Sequence, residues 1–447
     1  MQSTADSFEF NGYRITPDKQ TVFFDYRLIA SGKQAEEFVE AVKLPAPLPS
    51  SVPGALVSKI LESLHLVLGV SYWKLLCPKK IKLSSVSLSS DQAEFWNTVY
   101  TKGLGEFFFR NRIDFRGLVN FPYSGDIVSK PINFVCRDRS LVGIGGGKDS
   151  LVSTELLKEK KLPITGLALK PGSAMIIGED FKKELGIEVI TLERILSPQL
   201  LRLKGTYKGH VPVSAIYAFL GLLTAVIYDY RYFIASNEYS ASFGNVEYLG
   251  QQINHQWSKS LEFELMFQDY VKKYITPDVG YFSLLRPLSE IKIVSLFVRY
   301  RKYLSHFTSC NRNFSSTNPL PPGKKWCGEC PKCAFMFALL SAFLPKKDLI
   351  GIFGRNLFAD KNLTRVYQDL LGFGSIKPFD CVGTFEETQA AFYLAWQKKE
   401  FFGDPVMKAF EAEILPKIKD IGLIETKAFE VHNVNNMPSR FFSALPL

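Results

Sequence analysis

An α/β fold built on a parallel, doubly wound sheet is what this 447-residue chain predicts, and three observations carry it. From Ser140 onward, short apolar runs alternate with helical stretches, the pattern of strands joined by covering helices. The first of those runs ends in a three-glycine turn, Gly145-Gly146-Gly147, that opens directly into a helical segment. The composition, 46% hydrophobic and 22% charged, supplies a core for both faces of such a sheet and excludes a disordered or fibrous chain.

Taken in order, the amino terminus alternates as a hairpin does. Phe8 and Phe10 lead to a polar break at Thr16-Pro17-Asp18-Lys19, and Val22, Phe24 and Tyr26 follow. A proline-rich stretch over 44–53 precedes a periodic apolar segment over 54–76 that suits a helix. Residues 1–130 read as an amino-terminal α+β domain. The sheet domain, 131–305, holds strands at 141–144, 164–169, 187–192 and 232–236. Between them lie helices at 151–160 and about 181–185 and an apolar helix at 211–228, and the second strand ends in Lys170-Pro171-Gly172. Residues 306–447 form a helical region around a cysteine cluster. In a sheet of this kind ligands sit at the carboxyl ends of the strands.

The run 211–228 has no charge but reaches only the short limit of a membrane span, about 20 residues. With Pro212, Ser214 and Thr224 inside it, it reads as a buried helix. No secretory pattern opens the chain, and seven cysteines, thinly spread except for one cluster, do not make a disulfide scaffold, so the expected compartment is the cytoplasm. A net charge of +10 points to a polyanionic partner, nucleic acid or a phosphorylated small molecule. The absence of a long Lys/Arg cluster favours the small molecule, with no nucleic-acid or membrane partner expected. Nothing in the residues speaks to oligomeric state.

Gly145-Gly146-Gly147-Lys148-Asp149-Ser150 is the strongest chemical signal. Consecutive glycines let backbone N–H groups converge, and the helix N-terminus behind them adds positive potential, so the turn suits phosphate. Asp149 after Lys148 breaks the Walker A pattern, and Lys148 stands where a dinucleotide fingerprint needs its third glycine. The segment resembles the PP-loop of the ATP pyrophosphatase superfamily, Ser-Gly-Gly-x-Asp-Ser, with Gly145 in the leading position. That resemblance implies a HUP-like sheet and cleavage of ATP between its α and β phosphates. Asp149 would help place Mg²⁺, and Ser150 and the loop amides would hold the β and γ phosphates. Lys170 and Arg286 join Gly145 to Ser150 as expected nucleotide contacts.

Cys327, Cys330 and Cys333 form a CxxCxxC, with Cys310 seventeen positions before it. Four thiolates at this spacing suit tetrahedral Zn²⁺, and an iron–sulfur cluster is the rival. The arrangement is similar to that of the deazapurine nitrile synthases of queuosine biosynthesis, including Ser309-Cys310-Asn311 before the cluster. For acid–base work the titratable candidates are Glu238, His255 and Lys259, in the polar stretches 237–240 and 254–260. Lys259 or Arg286 would alternatively bind phosphate or carboxylate.

Residues 64–74, 145–150, 237–250, 253–264, 284–290 and 309–333 together resemble one family, the UDP-N-acetyl-α-D-muramoyl-L-alanyl-L-glutamate epimerases of peptidoglycan synthesis. The resemblance implies ATP-dependent adenylation of the glutamyl carboxylate of a nucleotide-sugar dipeptide. Inversion of the α-carbon and release of AMP and pyrophosphate would follow. Two other readings share the loop: a carboxylate-activating synthase similar to 7-cyano-7-deazaguanine synthase, and a PP-loop tRNA-modifying enzyme.

Overall fold

The computed structural model describes residues 5–30, 34–125, 129–171, 178–314 and 318–446; Gly172, named above at the end of the second strand, lies outside them. The amino-terminal strands are β1 (Ala5–Ile15), β2 (Thr21–Ala30), β3 (Glu36–Lys43) and β4 (Lys80–Leu83). Then come β5 (Ser140–Gly143), β6 (Ile164–Pro171), β7 (Val189–Ile195) and β8 (Tyr232–Ala235). A short separate hairpin, β9 (Val246–Tyr248) and β10 (Gln251–Ile253), precedes β11 (Gly280–Ser283).

Nine of these strands make one sheet in the order β11-β8-β5-β6-β7-β3-β2-β1-β4. The β11, β8, β5, β6 and β7 pairings are parallel, as the strand–helix alternation implies. The sequence reading separated the amino-terminal hairpin from this sheet. In the structure β3 pairs antiparallel with β7 through Ala41–Ile195, Val42–Arg194 and Lys43–Glu193, so the hairpin continues the sheet. The parallel edge that β7 would expose is thereby paired, which removes an open row of backbone donors and acceptors. Buried Glu40 receives Arg194 across this seam at 2.5 Å.

Period-2 alternation sorts the strand side chains between two cores. Leu141, Leu167, Phe233 and Tyr281 face one core, which includes the helices Gly54–Leu68 and Val213–Ile227. Their neighbours Val142, Ala168, Ile234 and Phe282 face a second, with the helices Lys148–Glu159, Glu290–Phe297 and Pro331–Ser341. Both faces of the parallel strands are therefore covered, which is why those strands read as unbroken apolar runs.

The uncharged run around 211–228 is the helix Val213–Ile227, and every residue from Ala218 to Ile227 is buried. By length and composition the 54–73 stretch is apolar enough to cross a membrane, yet 72% of its apolar window is buried inside the protein. Gly221 lets the Val213–Ile227 helix pack close against the sheet: a Cβ there would overlap the Phe233 ring. Gly221→Val should therefore destabilise the fold by about 1–3 kcal/mol through overpacking, read as a lower urea midpoint. An unchanged midpoint would contradict this packing.

Candidate active site

The glycine turn leaves the carboxyl end of β5 and enters the helix Lys148–Glu159. Gly146 has φ +78°, which only glycine adopts without strain, and Gly147 caps the helix. Thr308 N–H donates to Gly146 O at 3.1 Å, so the segment before Cys310 holds the turn in place. Gly145 faces open space, where a Cβ would meet nothing within 4 Å, and lines a cavity of about 210 Å³. Leu167, Leu169, Tyr217, Phe233 and Ser236 also line it, placing the cavity at the carboxyl ends of β5, β6 and β8. Its apolar wall suits a nucleobase. The Ser236 and Ser309 hydroxyls are buried with no hydrogen-bond partner, and Ser309 Cβ would stand 3.8 Å from a Cβ on Gly147. Orphaned hydroxyls of this kind fit a bound polar ligand rather than an empty core.

Behind the turn lies a buried charge cluster. Lys148 is 1% exposed and its ammonium pairs with Asp149 and with Glu290, itself 1% exposed. Lys332 Nζ lies 3.6 Å from the other Glu290 oxygen. Burial opposes the Glu290 carboxylate, but Lys148 and Lys332 hold it down to about 2. Glu238 goes the other way: burial and neighbouring Glu290 raise its carboxyl above the ordinary range. Glu387 is also pushed up, to about 7, by burial and by Glu290, whose backbone N–H it accepts at 2.5 Å. Three lysines (148, 259 and 332) thus face three carboxyl groups (Asp149, Glu238 and Glu290).

Lys259 and His255 are brought together, and they meet a residue the sequence did not mark. Lys259 Nζ donates to Cys381 Sγ at 3.4 Å, and His255 Nε2 lies 3.8 Å from the same sulfur. On its other side, His255 Nδ1 meets Glu106 Oε2 at 2.5 Å, with His210 Nδ1 3.4 Å from that oxygen. The Glu238 carboxyl and Asp149 act on Lys259 electrostatically, which ties this group to the glycine turn.

Arg286, expected at the nucleotide, is 0% exposed. Its guanidinium donates to Glu238 O at 2.7 Å, Lys259 O at 2.6 Å and Glu264 Oε2 at 3.0 Å, so it clamps from below the two segments that carry the acid–base candidates. Lys170 Nζ stands 3.6 Å from Glu193 Oε1 at the end of β6.

The ligand atoms of Cys310, Cys327, Cys330 and Cys333 all lie within 4.8 Å of one another, and Cys327 and Cys333 sulfurs are 3.6 Å apart. A single tetrahedral ion with bonds of about 2.3 Å puts its sulfurs about 3.8 Å apart, so this grouping fits one ion such as zinc. An iron–sulfur cluster places iron and sulfide between its ligands and spreads them wider. Gly328, at φ +72°, turns the knuckle, and Arg355 Nη2 donates to its carbonyl at 2.8 Å. Cys330 caps the helix Pro331–Ser341, which sends Lys332 toward Glu290.

Glu106, His210, Glu290, Lys332 and Cys381 complete the site but have no mutual spacing in sequence. Glu290 and Lys332 fall within the resembling segments 284–290 and 309–333, and Cys381 is one of three cysteines outside the cluster. Glu290→Gln should cost about 3–5 kcal/mol by leaving Lys148 with Asp149 alone and taking the buried carboxylate from Lys332. Because the Glu290 pKa is depressed, its contribution is complete above the unfolded value of about 4.3 and disappears as pH falls toward 2. Urea unfolding of both proteins against pH should show that gap narrowing; a gap that is constant between pH 6 and 2 would contradict the pairing.

Residues 1–284 match the MurL N-terminal domain family and residues 306–421 the MurL C-terminal domain family. A protein of Xanthomonas oryzae pv. oryzae named UDP-N-acetyl-alpha-D-muramoyl-L-alanyl-L-glutamate epimerase is 38% identical over 396 residues, 88% of this chain and 87% of its own. Proteins of the same name from Micromonospora sp. and Salinispora tropica are 33% and 32% identical over 446 residues, 98% of this chain. They cover 98% and 95% of those relatives. With both of its halves matched and its relatives aligned nearly end to end, the chain belongs to the UDP-N-acetyl-alpha-D-muramoyl-L-alanyl-L-glutamate epimerase family.

Proposed function

We propose that this enzyme inverts the α-carbon of the terminal L-glutamyl residue of UDP-N-acetylmuramoyl-L-alanyl-L-glutamate, using ATP to activate the adjacent carboxylate. The relatives' name supplies the substrate. The observation that carries the ATP half is the turn Gly145–Ser150, with one unpartnered buried hydroxyl, Ser236, in the cavity beside it and another, Ser309, against Gly147.

The chemistry explains why an epimerase would consume ATP. An α-proton next to a free carboxylate is scarcely acidic, because its removal would crowd negative charge onto one group. Transfer of AMP to the carboxylate releases pyrophosphate and gives a mixed anhydride whose carbonyl accepts the electron pair as an enolate. A base on one face removes the proton and an acid on the other returns one. Hydrolysis of the anhydride then frees AMP and the D-glutamyl product.

In this reading the adenosine occupies the cavity at the ends of β5, β6 and β8, and its phosphates lie on the amides of Gly145, Gly146 and Gly147 with the Ser150 hydroxyl. Asp149 would hold Mg²⁺, which supplies charge neutralisation for the triphosphate. Lys148 belongs to the turn's support, since its ammonium points to Asp149 and Glu290. His255, Lys259 and Glu238 are the acid–base candidates, and Arg286 keeps their backbones in register. The four cysteines would hold zinc and anchor the segment that carries Thr308 and Ser309 against the turn. The dipeptide nucleotide is a phosphate-rich small molecule of the kind that the +10 net charge suits, and a nucleotide-linked substrate supports the cytoplasm as the enzyme's compartment.

The test incubates enzyme, Mg-ATP and the L-Ala-L-Glu nucleotide in D₂O. AMP should form with one deuterium at the glutamyl α position, and Asp149→Ala should abolish both. Epimerisation that proceeds without ATP would overturn the adenylation reading.

A further inference from the structure

The strap that carries Cys381 is held from three sides. Lys332 Nζ donates to Cys381 O, Asn311 Nδ2 to Asp380 Oδ1, and Gln256 Nε2 to Val382 O at 3.2 Å. Such fixing sets the sulfur of Cys381, a residue of intermediate exposure, against Lys259 and His255. Gln256 is 3% exposed, and its Oε1 has no hydrogen-bond partner, an unfilled polar position beside the strap.

From Glu106 through His255 and Cys381 to Lys259, charge alternates at contact distance. This is the arrangement of a reactive thiol: a base partner on the sulfur and a carboxylate orienting that partner. We propose that the Cys381 sulfur is the acid–base group that works on one face of the glutamyl α-carbon. The proposal rests on the adenylation reading above, because only the activated glutamyl group has an α-proton within reach of such a base.

The groups facing the sulfur set its state. Burial works against the anion, but Lys259, His255 and Lys332 draw the thiol down to about 6. His255 loses by burial yet is carried up to about 10 by its bonds to Cys381 and Glu106. Burial and the neighbouring His255 charge push His210 down to about 3, so it stands neutral beside the pair. The contacts of Lys259 with the sulfur and of Glu106 with the imidazole favour the thiolate–imidazolium form of the pair.

The proton balance is simple. The thiolate takes the α-proton: the C–H bond breaks, S–H forms, and the electron pair moves into the acyl carbonyl. A second acid on the opposite face gives its proton to the carbon, the enolate carbonyl re-forms, and the two groups exchange protons with water before the next turnover. No oxidant or reductant takes part. Lys259, touching the sulfur and acting on Glu238 and Asp149, is the link between this step and the nucleotide turn.

The experiment separates the two half-reactions in the full-length protein. Pyrophosphate–ATP exchange dependent on the dipeptide nucleotide reads adenylation, and deuterium entry at the glutamyl α-carbon reads proton transfer. Cys381→Ser should keep the exchange within a few-fold of wild type and lose deuterium entry by about 10²–10⁴-fold, with an unchanged melting temperature. Deuterium entry at the wild-type rate would overturn the proposal, as would equal loss of both activities. A thioester found on Cys381 by intact mass would overturn it too, by making the sulfur an acyl acceptor. As an independent readout, iodoacetamide should label Cys381 in the folded wild-type protein with a rate that falls as pH drops through about 6. Absence of labelling at pH 8 would overturn the proposal. If wild type shows no exchange at all, the adenylation reading fails instead, and the labelling result still reports on the thiol.

Discussion

The interaction on which the site depends is the ion pair of Lys148 with Glu290, buried beneath the glycine turn. Moving an ammonium and a carboxylate out of water costs several kcal/mol for each ion, and only close pairing with further partners offsets it. Here Asp149 and Lys332 are those partners, and each arrives from an element with another task. Lys148 and Asp149 open the helix behind the turn, Glu290 opens the helix Glu290–Phe297 behind the Ser289 cap, and Lys332 comes from between Cys330 and Cys333 of the cysteine cluster. The pair thus fixes the turn, the loop after β11 and the cysteine knuckle relative to one another.

That coupling explains why a cysteine cluster belongs in this protein. Thr308 and Ser309, just ahead of Cys310, touch the turn, and Asn311, just after it, holds Asp380 in the strap. Lys332, inside the CxxCxxC, holds the carbonyl of Cys381. A metal ion gathering four thiolates would thereby position the nucleotide turn on one side and the strap on the other. Its role in this account is structural, and its effect on chemistry passes through the segments it aligns.

Local signals carried much of the architecture. The β5, β6, β7 and β8 strands, the helices between them and the hairpin at Thr16 are written in apolar period and turn residues, and each formed close to its expected place. The glycine turn and the four cysteines were legible because their spacing is itself the geometry. The join of β3 to β7 was not, since a strand pairing between residues 41 and 195 leaves no trace in either segment's pattern.

The candidate site divides the same way. His255, Lys259 and Glu238 stood out as polar residues after a strand and between helices, and the first two meet at one sulfur. Their partners come from four distant places, near residues 106, 210, 290 and 381, so no local pattern could assemble them. Arg286 shows the opposite difficulty: an arginine beside a ligand-binding edge suggested phosphate, but burial turned its guanidinium toward Glu264 and two backbone carbonyls. The central claim is that one cleft performs both carboxylate activation and proton transfer. It is tested most directly by a crystal structure with a non-hydrolysable acyl-sulfamoyl adenosine analogue of the activated dipeptide nucleotide. The account predicts the sulfamoyl group on Gly145–Ser150 and the glutamyl α-carbon within contact, about 4 Å, of Cys381 Sγ. An analogue seated away from the turn, or one whose α-carbon points away from the strap, would contradict it.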